Sequence, residues 1–121
     1  MATATKFNVE PKTPETAQEP ATSVLNETQQ KMGMIPNMYA YMAVNPALLD
    51  AYNHAYNSFR ENAGFNAVEQ EVILLSISYE NECDYCMAAH SFLADSASGV
   101  PSEVKDAIRN GQEVPDAKLN A

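Results

Sequence analysis

Scarcities narrow the possibilities before any motif is read. Cysteine occurs twice, at Cys83 and Cys86. That is too few for the disulfide framework of a small secreted domain, and a close C-x-x-C in such a chain points to catalysis or metal binding instead. Basic residues are also few: 7 Lys and Arg stand against 16 Asp and Glu, a net charge of −9. This balance disfavours nucleic acid and anionic membrane surfaces, which are gripped by clustered Lys and Arg. Between Arg60 and Lys105 there is no basic residue, while Glu61, Glu69, Glu71, Glu80, Glu82, Asp84, Asp95 and Glu103 all fall there. A thiolate at either cysteine therefore has no sequence-local cation other than His90. Apolar runs of membrane-spanning length are absent, and the first twenty residues hold neither an apolar run nor a cleavage-type pattern. A soluble, cytoplasmic protein with no membrane partner is expected. No segment alternates at period two over strand length, whereas the apolar segments repeat at helical period, so the fold class is all-α.

At 121 residues the chain is long enough for one domain with a core. Residues 1–22, with Pro11, Pro14 and Pro20 among Thr and Glu, read as an extended or disordered arm, and residues 23–121 as the helical domain. Val24, Leu25 and Met32 give a short amphipathic helix over 23–32, stopped by Gly33 and Pro36. Residues 37–44, with two tyrosines and two methionines, suggest a short buried helix. Asn45-Pro46 is a helix start, with Asn as N-cap and Pro where no donor is needed. This helix should run to about Asn62, bury Leu48, Leu49, Tyr52, Tyr56 and Phe59, and end at Gly64. Its His54 is expected at the surface or core edge.

Asn66 opens the next helix, with Glu69 as its reciprocal capping partner. Val68, Val72, Leu75 and Tyr79 form one stripe, while Glu69, Ser76 and Glu80 fall on the wetter side. Glu71 lies beside Ser78 inside the apolar arc. A carboxylate there is partly desolvated, which raises its pKa and makes it a candidate general acid or base. After Glu80-Asn81-Glu82 the chain must reverse, because two apolar helices of this length pack as an antiparallel pair. The second helix should start at about Cys83 and end at Gly99.

Relations of i, i+3 and i, i+4 put Cys83, Cys86 and His90 on one helix face. In a hairpin pivoting near Asn81, His90 returns to within a turn of Glu71, so Glu71, His90 and Cys86 form a plausible proton path with Cys83 at the helix mouth. Two cysteines in a first turn have Cα atoms about 5–6 Å apart, a separation a disulfide tolerates. The helix N-terminus and a protonated His90 favour a thiolate, and Glu82 and Asp84 oppose it. On these grounds alone Cys83, nearer the mouth, is the more accessible nucleophile.

Glu71, followed by Cys83-x-x-Cys86-x-x-x-His90 within EVILLSISYENECDYCMAAH, resembles the core motif of the carboxymuconolactone decarboxylase and AhpD-like (alkyl hydroperoxidase D) superfamily. The resemblance is strong over residues 66–99. Upstream, GMIPNMYAYMAVNPALLDAY has the flavour of the peroxidase-related branch, and nothing before about Ser23 contributes. It implies an all-helical, oligomeric AhpD-like fold and a peroxiredoxin-type activity on a peroxide or disulfide, without a cofactor. It further implies that Cys86 is the attacking thiol, Cys83 its disulfide partner, and Glu71 and His90 the proton relay, with a thiol reductant as partner. Some members carry a histidine directly before the second cysteine; Tyr85 occupies that position, which leaves fewer members in the relay.

Two other classes fit parts of the pattern. Cys83, Cys86, His90 and either Glu71 or His54 could ligate zinc, although structural zinc usually grips two separated knuckles. The decarboxylase branch of the superfamily does not require a cysteine pair. Beyond Gly99, Pro101-Ser102-Glu103 opens a helix carrying Val104, Ala107 and Ile108, stopped by Gly111, and Val114-Pro115-Asp116 suggests another. A last helix of about two turns buries little, so the domain reads as incomplete at its C-terminus or completed by a partner chain. The acidic, Met- and Tyr-bearing segment over 32–56 holds more apolar surface than a monomer easily covers, and with the association that the resemblance implies it leads to the expectation of a homo-oligomer of three-fold or two-fold symmetry.

Overall fold

A computed structural model describes residues 8–121; the part of the expected arm at residues 1–7 lies outside the described residues. The fold is all-helical, with no strand among the described residues. In order the helices are α1 (Ala21–Met32), α2 (Asn37–Met42), α3 (Pro46–Asn62), α4 (Ala67–Glu80), α5 (Asp84–Leu93), a π-helical turn (Ala94–Ser98) and α6 (Ser102–Arg109). They form two compact units, one ending at Asn62 and one spanning Ala63–Ala121.

In the first unit α3 packs against α1 and α2. Its core is Ala21, Val24, Leu25, Ala43 and Leu49, covered by Ala17, Ile35, Tyr39 and Met42. Before α1 the arm is tied down, since Lys12 donates its N–H to the Ala40 carbonyl at 2.9 Å. Glu19 accepts from both the N–H and the hydroxyl of Ser23, satisfying a donor of the first turn of α1. At the start of α3, Asn45 Oδ1 accepts from Ala47 and Leu48. Tyr39 meets Tyr52 edge-on, Tyr52 stacks on Tyr56, and Arg60 both covers the Tyr56 ring and donates to its hydroxyl.

Two expectations are corrected here. Leu48 is 51% exposed, not buried, and Tyr52, Tyr56 and Phe59 are half-buried, which leaves Leu49 as the one buried residue of α3. Leu48 is turned about 100° from Leu49 on the helix, so only one of the pair can face inward, and Leu49 does. The helix expected to be buried over 37–44 is instead the half-exposed α2, none of whose residues is fully buried. With six residues it only rests Tyr39 and Met42 on the core, while Tyr41 faces solvent. Met32, Met34 and Val44 are exposed as well.

The second unit is built on α4, which packs against α5, the π turn and α6. Asn66 Oδ1 accepts the Glu69 N–H at 2.9 Å, and Glu69 Oε2 accepts the Asn66 N–H at 3.0 Å, a complete capping box. Glu69 also pairs with Lys118. The Lys118 ammonium, then the Asn66 N–H, hold the Glu69 carboxyl below the usual carboxylate range. What this contributes to stability is present above that range and lost as pH falls through the lowered value. Below the cap, Val72, Leu75, Ala94, Val100, Val104 and Ile108 form the core, with Val68, Met87, Val114 and Leu119 against it. Tyr79 departs from the expected stripe in being 44% exposed.

No helix forms after Val114, contrary to expectation. Asp116 Oδ1 accepts from the Lys118 and Leu119 amides, and Asn120 Oδ1 accepts from Val114. These side chains compete for the backbone and close a turn in place of a helix. Gly111 ends α6 in the left-handed region, φ 64°, and a β-carbon there would overlap the Tyr79 hydroxyl and ring. Gly111→Ala is therefore expected to destabilise the fold by about 1–3 kcal/mol, more than a surface substitution, as read by denaturant unfolding.

Candidate active site

The site grows from the reversal between α4 and α5. Glu82 takes a left-handed conformation, φ 50°. Its N–H bonds to the Tyr79 carbonyl, and the Cys83 N–H reaches back to the Ser78 carbonyl, both at 3.0 Å. This pair of bonds is a Schellman closure, with Glu82 where glycine is usual. Cys83 then serves a second time as the N-cap of α5: its sulfur accepts the Cys86 N–H at 3.2 Å. One residue thus ends α4 and starts α5, which makes the hairpin tight and fixes the register of the two helices.

That register decides what faces what. Cys83 and Cys86 are joined by a disulfide, with Cα atoms 5.3 Å apart. Both are half-buried, between exposed Asp84 and Tyr85 and half-buried Met87. One turn further along α5, His90 Nδ1 lies 2.6 Å from Glu71 Oε1 of α4. Glu71 is fully buried, and the His90 side chain is 14% exposed. Glu71 Oε2 accepts from Ser98 Oγ at 2.9 Å. Burial works against charge on this carboxyl, while two converging donors work for it. With Glu71 ionised, His90 donates from Nδ1, which leaves Nε2 as the acceptor of the ring.

The structure therefore brings Glu71 and His90 into direct contact and sets the cysteine pair on the helix that carries His90. His54 is exposed on α3, and among the described residues no three His, Cys, Asp or Glu side chains converge as a metal site. Ser98 is the member that sequence reasoning passed over. Its one sequence signal is a hydroxyl directly before Gly99, the expected left-handed stop.

With this geometry in place, comparison across protein families gives a direct result. The pattern that defines the carboxymuconolactone decarboxylase family matches residues 46–118. The chain belongs to the carboxymuconolactone decarboxylase family. The match runs from the first residue of α3 into the C-terminal turn and takes in Glu71, Cys83, Cys86, His90 and Ser98. A comparison with curated proteins finds no match. Membership in the carboxymuconolactone decarboxylase family accords with the all-helical fold and the C-x-x-C pair at the α4–α5 hairpin.

Proposed function

We propose that the protein is a thiol-dependent peroxidase or disulfide reductase whose Cys83–Cys86 pair cycles between dithiol and disulfide. The observation that carries this reading is the buried Glu71 bonded to His90, one helical turn from Cys86. A disulfide geometry alone would serve a merely structural bridge. A buried carboxylate–imidazole pair one turn along the same helix supplies the kind of base that proton transfer from a thiol uses.

In the proposed cycle His90 Nε2 takes the proton of the Cys86 thiol, and Glu71 stabilises the imidazolium. The Cys86 thiolate attacks the terminal oxygen of a hydroperoxide; the O–O bond breaks, and the leaving alkoxide takes the proton back and departs as an alcohol. Cys86 is now a sulfenic acid. The Cys83 thiolate attacks its sulfur, hydroxide leaves and is protonated to water, and the disulfide forms. A dithiol reductant exchanges with this disulfide, becoming oxidised itself and restoring both thiols. With a disulfide as substrate, the same pair supplies the two electrons without the sulfenic step.

The test is peroxide consumption supported by a generic dithiol. The reading expects turnover proportional to protein concentration. Consumption no faster than the dithiol alone, with disulfides equally untouched, would refute it and leave the pair idle, as in a decarboxylase-type reaction.

A further inference from the structure

The π-helical turn after α5 has no role in the cycle as written, yet it determines what Glu71 touches. Were α5 to continue as an α-helix, at about 100° per residue, Ser98 would be turned about 80° from His90 and Ala97 would lie in its line. The extra residue accommodated by the wider turn Ala94–Ser98 rotates Ser98 into that line instead. Val100 closes the turn by donating to the Ala94 carbonyl at 3.1 Å, and Gly99 ends it at φ 68°. The outcome is a carboxylate held at both oxygens from one neighbouring helix: Oε1 by His90 and Oε2 by Ser98.

We propose that Ser98 is a positioning residue of the thiol site, acting through Glu71 on His90. The inference rests on the relay reading above. Protonation of Glu71 at Oε1 would reverse its bond with His90, place the imidazole hydrogen on Nε2, and leave no lone pair to take the Cys86 proton. Donation by Ser98 to Oε2 favours the ionised carboxylate, and with it the His90 tautomer that can act as a base. Ser98 touches neither cysteine in this scheme. It sets which way the proton on the Glu71–His90 pair points.

The experiment measures the alkylation rate of Cys86 in the reduced protein, in variants whose thermal midpoints are also recorded. Ser98→Ala should slow alkylation on the order of 10-fold, the scale of one hydrogen bond to a charged group. Ser98→Thr, which keeps a hydroxyl, should restore the rate. Ser96→Ala, which removes a hydroxyl that donates to the Phe92 carbonyl one turn back, should leave the rate unchanged. In a Glu71→Gln background, Ser98→Ala should cause no further slowing, because its route of action is gone. The proposal is overturned if Ser98→Ala alkylates at the wild-type rate while Glu71→Gln is slow, in which case the relay stands without Ser98. It is overturned equally if Ser98→Ala slows the Glu71→Gln protein as much as the wild type. Should Glu71→Gln itself alkylate normally, the relay reading falls, and the role of Ser98 falls with it.

Discussion

Cys86→Ser is expected to lower dithiol-supported peroxide consumption to the rate seen without protein, whereas Cys83→Ser should still react once. In the Cys83→Ser protein the sulfenic acid at Cys86 has no resolving thiol, so a sulfenic-specific nucleophile should label it stoichiometrically, as seen by intact mass. The two cysteines compete for the attacking role on physical grounds. Cys83 sits at the N-cap, and its sulfur accepts the Cys86 N–H, a cap-type interaction worth about 1 kcal/mol. Cys86 has His90 one turn away, backed by Glu71. Assistance by such a base is worth ~10²- to 10⁴-fold in rate, or about 3–5 kcal/mol. On the proposed reading, the larger effect puts attack at Cys86. Labelling of Cys86→Ser at Cys83, with none in Cys83→Ser, would reverse the assignment.

The second large effect is expected at Glu71. Glu71→Gln should slow thiolate formation at Cys86 by ~10²- to 10⁴-fold and displace the pH profile of its alkylation, while Glu80→Gln should change neither. The contrast follows from position: Glu71 is fully buried against His90 and Ser98, and Glu80 is exposed at the end of the same helix. Glutamine keeps the shape of the side chain but cannot carry the charge that stabilises the imidazolium. Stopped-flow alkylation of the reduced proteins across pH would decide it. Equal profiles for both variants, or a larger effect at Glu80, would rule out the relay.

Much of this arrangement was legible in the sequence because it depends on helical period. The spacing of Val68, Val72 and Leu75 set the inner face of α4, and the same count places Glu71 within that arc. Asn66 and Glu69 announced the helix start, since a capping box needs only those two residue types at that spacing. A hairpin pivoting near Asn81 then brought His90 to Glu71 by counting residues along two helices. What was not legible depends on departures from that period. The π turn inserts one residue into the register, and nothing in Ala94-Asp95-Ser96-Ala97-Ser98 marks it, so Ser98 could not be aligned with Glu71. Glu82 fills a left-handed position where glycine is usual, and the double use of Cys83 as closure and cap appears only once the backbone is traced. Adjacent apolar residues were ambiguous, as Leu48 and Leu49 show. At the C-terminus, Pro115 and Asp116 suit a helix start as well as a turn; Asn120, bonded back to Val114, settles it as a turn.

The central claim is that the cysteine pair is a working redox couple and not a structural bridge. Its most direct test is a single turnover: the fully reduced protein is mixed with one equivalent of hydroperoxide, residual peroxide is measured, and the cysteines are mapped by mass spectrometry. The account predicts that one peroxide disappears per chain while the chain becomes two hydrogens lighter, with Cys83 and Cys86 linked. Peroxide remaining in full, with both thiols still free, would contradict it.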